Sequence, residues 1–406
     1  MKLNRALLGG SAVLVITFGI FNVLNYFFHL GMLRMLTVAE YGVLATLLAI
    51  MYVIGIFTES VQTVLAKYAA AEQDVGKAKN LFLRSMRKAM IIATILFVVF
   101  LLVAIPFAPL LKIPYSLMAL TGVIIFAMFL SAVGRGILQG RKMFRALGNT
   151  MMFEGVVKLV AGLALVFIGW KVYGAVAGAL ISVICAFLYS LWIVRSVLRA
   201  REKHVSTPTI YQYSWPVFIV VCTLMVFYNL DIFIAKIVFD EVTAGLYAIT
   251  AVIAKTILFA TQPISRAMFP LTASAKEHQR QGNVFRSALT ILLACIAVAL
   301  FFFYFFPDFI IWIFTGKALP EVSLVIIYAA LATSLLALTN LVIFYRLSQG
   351  RIRNAPIFLL FIVAEAILLY TFSDNLLQFV LALMTSAAIF LWGSVVLLRK
   401  YSNGLK

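Results

Sequence analysis

Acidic residues are scarce in this chain. Among 406 residues it carries 14 Asp and Glu against 33 Lys and Arg, a formal net charge of +19. Charged residues of both signs together make up only 12% of it, and no long polar stretch separates its apolar segments. A separate soluble domain is thereby excluded. So is a sizeable outer loop of the kind on which an enzyme joining lipid-linked sugars would carry catalytic acids or bases. Cysteine is sparse too. Cys185, Cys222 and Cys295 are scattered through apolar segments, which argues against disulfides and against a metal site. His29 has no second ligand near it in sequence. No G-x-x-x-x-G-K-[ST] loop occurs, so the chain is not expected to hydrolyse ATP. No nucleophile stands beside a base. The expectation is a protein with no catalytic residues, metal or cofactor.

What is abundant is apolar length. The apolar fraction is 64%, against roughly 45–50% in soluble domains. Twelve stretches each match the thickness of a bilayer core: 7–30, 40–66, 88–110, 116–138, 150–170, 172–194, 214–238, 242–264, 287–306, 320–345, 356–372 and 375–398. Backbone groups in lipid must bond within the protein, so such stretches are helices or barrel strands. Their length and lack of strict alternation select helices. The fold class read here is an all-α membrane protein of twelve transmembrane helices. The first stretch follows a short basic start but is too long for a signal peptide, and reads as a retained helix.

The positive charge is not spread evenly. Lys and Arg gather at Lys2 and Arg5, then Lys67 to Lys88, Arg141 to Arg145, Arg195 to Lys203, Lys276 to Arg286, Arg346 to Arg353, and Arg399–Lys400. The alternate loops hold only Arg34, Lys112, Lys171 and Lys317, beside most of the loop acids. This positive-inside pattern places both termini in the cytoplasm of a multi-pass protein of the cell (plasma or inner) membrane. It also accounts for the charge without a nucleic-acid partner, since no basic segment stands apart from a membrane end.

The chain repeats itself. The surroundings of Glu40-Tyr41-Gly42 return around Thr243-Ala244-Gly245, Gly42 matching Gly245 about 203 residues later. Gln139-Gly140-Arg141 returns as Gln349-Gly350-Arg351, and Arg84-Ser85 as Arg286-Ser287. Six spans per copy is an even number, so the copies share one orientation. They would be related by a pseudo-twofold axis along the membrane normal, with a substrate path between them. The expected division is an N-terminal bundle over 1–198, a cytoplasmic linker over 199–213 and a C-terminal bundle over 214–406. Leu81, Phe82 and Met86 among basic residues are compatible with a helix on the inner leaflet or with a solvated linker. The longest outer loop, about 307–319 with Trp312 and Phe314, is expected in the interface.

Ionisable residues inside spans are costly and mark candidate sites. Lys255, Gln262 and Arg266 follow at i, i+7, i+11 on one helical face, with Pro263 able to kink it. They read as a cationic stripe on a hydrated cavity, or, for Lys255, as a packing pair with an acid of another helix. Glu59 occupies the repeat position of Gln262 and is a counter-ion or protonatable coupling group. Asn22, Asn25 and His29, with Tyr26 beside them, form a stripe that could contact sugar or a neighbouring helix. Asp231 is a candidate for cation coupling or for pairing with Lys255. Lys236 reads as snorkelling near an outer end. Glu154 and Lys158 have the spacing of an intrahelical pair, and Glu365 stands near the repeat position of Glu154.

Four short motifs, in order, resemble one family. Leu36-Thr37-Val38-Ala39-Glu40-Tyr41-Gly42 is similar to the L-x-x-x-E-Y-G signature of polysaccharide-export flippases. Leu138-Gln139-Gly140-Arg141 resembles their L-Q-G turn, Glu241-Val242-Thr243-Ala244-Gly245-Leu246-Tyr247 their E-x-x-G-L-Y turn, and Ala267-Met268-Phe269-Pro270 their F-P helix ending. The resemblance is to O-antigen-type flippases of the multidrug/oligosaccharidyl-lipid/polysaccharide (MOP) exporter superfamily. It implies a MATE-like fold of two six-helix bundles. It implies a polyprenyl-diphosphate-linked oligosaccharide moved to the outer leaflet by alternating access. It also implies basic cavity residues, for which Lys255 is the clear counterpart. The first helix offers Asn25 and His29 instead, and the second Glu59. The expected partners are the lipid-linked oligosaccharide, membrane lipids, a monovalent cation and glycan polymerase or assembly proteins. The rival readings are a cation-coupled multidrug antiporter, a membrane glycosyltransferase or ligase, and a non-transporting scaffold.

Overall fold

The computed structural model describes residues 2–72, 74–204, 215–273, 278–349 and 355–399. Gly350, Arg351 and Arg353, Lys276, Lys400 and the linker residues Thr207, Pro208 and Thr209 lie outside them. Among the described residues every regular element is helical. Packing divides the chain into two units, Met1–Ile210 and Tyr211–Lys406.

The first unit holds α1 (Lys2–Met35), α2 (Val38–Ala71), α3 (Val75–Leu110), α4 (Tyr115–Gly140), α5 (Phe144–Leu165), α6 (Lys171–Ile193) and the single-turn α7 (Arg195–Arg199). The second holds α8 (Trp215–Val238), α9 (Glu241–Ala273), α10 (His278–Phe305), the short α11 (Pro307–Thr315), α12 (Pro320–Ser348), α13 (Leu359–Thr371) and α14 (Leu376–Arg399). Ten helices among the described residues are long and apolar enough to cross a bilayer, and Pro356–Thr371 is shorter. One of the ten, Phe144–Ile193, contains two expected spans. The helical backbone breaks between them at Gly169 (φ 101°) and Lys171 (φ 48°), which separates α5 from α6. Glycine permits the left-handed backbone that this break needs.

The duplication appears in which helices touch. In the first unit α1 packs on α5, α2 on α4, α3 on α4, α4 on α6 and α5 on α6. In the second, α8 packs on α13, α9 on α12, α10 on α12, α12 on α14 and α13 on α14, which is the same scheme. Lipid tails are as apolar as leucine, so close packing rather than water exclusion holds such helices together. The α1–α5 seam shows how. Gly148, Gly155 and Gly162 recur every seven residues on α5, against Thr17, Leu24 and Phe28 of α1. A Cβ at Gly148 or Gly162 would approach these side chains within 2.6 Å.

The motifs have local structural reasons. Thr37 caps α2, accepting from the Glu40 amide while the Glu40 carboxylate accepts from the Thr37 amide, a reciprocal capping box. Asp240 does the corresponding work for α9, its Oδ2 accepting from the amides of Val242 and Thr243. Gln139 ties the end of α4 to α2 through Gln62 (2.8 Å), and Gly140 lies against the Ala66 carbonyl with no space for a side chain.

The inner-leaflet helix is corrected. Leu81 and Phe82 belong to α3 and are buried in a core cluster with Leu65, Val133, Ile137 and Leu147, against which Met86 also packs. The apolar residues of this basic segment recur at helical spacing, so α3 continues as one helix instead of lying apart on the leaflet.

Candidate functional site: a polar cluster in each bundle

Each unit carries a set of polar side chains at mid-helix. In the C-terminal unit Lys255 follows the start of α9 by about 21 Å, from fourteen residues (255 − 241) at 1.5 Å each. Its Nζ donates to Asp231 of α8, 3.0 Å to Oδ1 and 2.9 Å to Oδ2. The Tyr247 hydroxyl donates to Asp231 Oδ2 at 2.7 Å. Lys255 is 6% exposed, Asp231 1%. Glu365 of α13 is wholly buried within electrostatic reach of both, and neither of its carboxyl oxygens has a hydrogen-bond partner.

This departs from a hydrated cationic stripe. Lys255 is turned into its own bundle and held by an acid of the next helix, the pairing named above as the alternative. Gln262 is half-buried and Arg266 exposed, so the three residues sit at very different depths. The reason is the packing of α9, whose middle is pressed against α12, where Thr333 donates to the Ala254 carbonyl at 3.0 Å. Lys236 does not snorkel. It is 1% exposed, near the end of α8, where Phe239 meets Phe379 of α14.

In the N-terminal unit Lys158 follows the start of α5 by the same fourteen residues (158 − 144), about 21 Å. Glu154, expected as its intrahelical partner, is instead hydrogen-bonded to Arg135 of α4 in an ion pair. Lys158 reaches across the glycine seam to α1. Its Nζ donates to Asn25 Oδ1 at 2.9 Å and lies 4.5 Å from the Phe28 ring centroid. The Asn25 amide is fixed in turn by the Phe21 carbonyl at 2.9 Å. One turn on, His29 Nδ1 and the Tyr41 hydroxyl share a hydrogen bond of 3.0 Å. Asn22, Asn25, Tyr26, His29 and Lys158 are all half-buried. Glu59 and Thr63 are exposed on α2.

Of the candidates drawn from the sequence, the structure brings Asn25 and His29 together around Lys158, and Asp231 together with Lys255. Glu59, Gln262 and Arg266 join neither cluster. Sequence reasoning missed Lys158 as a site residue because its spacing to Glu154 looked satisfied. The signal for Arg135 lay on another helix. Among the described residues no three His, Cys, Asp or Glu side chains are grouped to hold a metal ion.

Comparison with known proteins follows this geometry. No curated protein sequence matches the chain significantly. Among solved structures it resembles an inward-facing multidrug-resistance MATE family transporter of the MOP superfamily (TM-score 0.73, 15% identity, covering 94% of this chain and 96% of that one). It also resembles the lipid II flippase MurJ in an inward closed conformation (TM-score 0.70, 12% identity, 96% and 87% covered). A third is the MATE multidrug transporter DinF-BH (TM-score 0.70, 13% identity, 99% and 97% covered). These likenesses establish a MATE-like fold. The model of the family described as "Polysaccharide biosynthesis protein" matches residues 32–323, well over half of the chain, from the last turn of α1 to the first turn of α12. The chain is thus a member of the polysaccharide biosynthesis protein family, with a MATE-like fold.

Proposed function

We propose that this protein is a flippase that moves a polyprenyl-diphosphate-linked oligosaccharide from the cytoplasmic to the outer leaflet by alternating access. The physical task is to carry a polar headgroup through hydrocarbon while the lipid tail stays in the bilayer. The observation that carries the reading is the half-buried row Asn22, Asn25, Tyr26, His29 and Lys158 at mid-helix, with Glu59 exposed on α2. Amides, phenols and imidazoles are the groups that bond sugar hydroxyls, and an exposed carboxylate within a span needs water. Gln262 and Arg266 would contact the headgroup from α9. The bundles, 1–198 and 214–406, would move about the linker over 199–213, with both termini in the cytoplasm of the cell membrane. Glycan polymerase or assembly proteins are the partners such a role requires.

Asp231 and Lys255 then belong to the coupling machinery rather than to substrate contact. Asp231, Tyr247, Lys255 and Glu365 comprise two carboxyls for one ammonium, and a monovalent cation or proton would balance the second carboxyl. This acid excess is also the feature that favours the second reading, an antiporter of cationic drugs.

The test is translocation of a fluorescent lipid-linked oligosaccharide by the full chain in vesicles, with and without an inward cation gradient. Gradient-stimulated loss of probe from one leaflet is expected. No movement of the probe, together with export of cationic dyes, would transfer the assignment to the antiporter.

A further inference from the structure

Lys158 is an ammonium within a span whose hydrogen-bond and ring partners carry no negative charge, Glu154 acting on it only through space. One N–H bonds the neutral Asn25 amide and the aromatic face of Phe28 lies beside it. His29 and Asn22 on α1 bring no carboxylate. On its own helix the one nearby acid, Glu154, is held by Arg135 from α4. Arg135, Glu154 and Lys158 therefore sum formally to one excess positive charge, from two cations and one anion. The side chain is half-buried, so it is not sealed into the bundle. A charge held at that depth needs a counter-ion or water.

We propose that Lys158 is an anion site of the N-terminal bundle, and that its ligand is the phosphate oxyanion of the lipid-linked headgroup as that headgroup passes mid-membrane. The inference rests on the flippase reading and names the residue of that site which takes the charge. A lysine donates three N–H groups, and only one is engaged by Asn25. The other two are available to phosphate oxygens. Asn25 and Phe28 hold the ammonium in place without neutralising it, which a carboxylate would do. Lys158 stands about 21 Å from the start of α5 and about 10 Å from its end at Leu165. Phosphate could reach it from a headgroup in transit or from a resident phospholipid, and the arms of the test separate these two sources.

The test measures binding of a long-chain polyprenyl diphosphate to the purified full chain, beside the uncharged polyprenol and phosphatidylglycerol. Wild type should bind the diphosphate, Lys158→Gln should bind it about tenfold or more weakly, and Lys158→Arg should keep most of the affinity. Arg145→Gln, on the exposed start of α5, should change it little. A second measurement needs no variant: amine-reactive labelling of Lys158, read by mass spectrometry, should slow with polyprenyl diphosphate and not with polyprenol. Equal affinity of Lys158→Gln and wild type, or labelling that the diphosphate does not slow, would overturn the site while leaving the flippase reading to its flux assay. Equal protection by phosphatidylglycerol would overturn the substrate assignment. Failure of the flux assay with Lys158-dependent diphosphate binding intact would overturn transport and not the site.

Discussion

Lys158 of α5 and Lys255 of α9 each stand fourteen residues into a helix, on helices that do not correspond in the duplicated packing scheme, and differ in what faces them. Lys255 has a carboxylate at 2.9 Å and almost no exposure. Lys158 has an amide at 2.9 Å, a ring and partial exposure. The first is an internally completed pair, and the second is an incomplete one. Two units with the same packing scheme thus place their span lysines on different helices and surround them differently. One unit keeps its cation for an internal acid, while the other is proposed to offer one to a ligand.

The comparison is most exposed to Asp231→Ala. Removing that acid leaves Lys255 buried without its pair and should cost about 3–5 kcal/mol, read by thermal unfolding of the purified chain. Replacing both partners by apolar residues, Asp231→Leu with Lys255→Met, should recover most of the loss. An unchanged unfolding temperature in Asp231→Ala would mean that the pair holds nothing together.

A smaller effect is expected from Arg135→Ala. Glu154 would lose its partner, but Lys158 is four residues away on the same helix and can take it over. Stability should fall by about 1–2 kcal/mol, less than for Asp231→Ala. Diphosphate binding should weaken although Lys158 is intact, because its charge is then neutralised. Undiminished binding in Arg135→Ala would break the argument from excess charge.

Glu365→Gln should be smaller still. A carboxyl with no hydrogen-bond partner gives way to a neutral amide, and stability should change by no more than about 1 kcal/mol. Any dependence of transport on a cation gradient should be lost. Retained gradient dependence would remove Glu365 from the coupling machinery.

The smallest effect concerns the surface. Ala200 to Lys203 are fastened to the start of α3: Lys79 Nζ donates to the Ala200 carbonyl, Asn80 to Glu202, the Lys203 amide to the Gly76 carbonyl, and Lys203 Nζ to Asp74 at 2.7 Å. The hydrogen bond from Lys203, followed by that from the Gly76 amide, holds the Asp74 carboxyl below the usual carboxylate range. A depressed carboxyl contributes its stabilisation above its unfolded value and loses it as pH falls through the folded one. The clasp should therefore hold at neutral pH and loosen only on strong acidification. Asp74→Asn should speed tryptic cleavage after Arg201 at neutral pH, and equal cleavage rates would dismiss the clasp.

Much of the fold could be read from the chain because membrane helices announce themselves locally. Their apolar length, the capping residues Thr37, Glu40 and Asp240, and the Gln139-Gly140 turn all act within a few residues. The charges within spans were harder, because their partners come from other helices. Asp231 could be named as one of two options for Lys255, whereas Arg135 could not be seen as the partner of Glu154. The same limit hid the burial of Lys236 and of Leu81 and Phe82, since both depend on which helix lies alongside.

An experimental structure of the full chain with a long-chain polyprenyl diphosphate bound tests the central contrast most directly. The account predicts phosphate density within hydrogen-bond distance of Lys158 Nζ, with the Lys255–Asp231 pair intact. Phosphate on Lys255, with Asp231 displaced and Lys158 unoccupied, would contradict it.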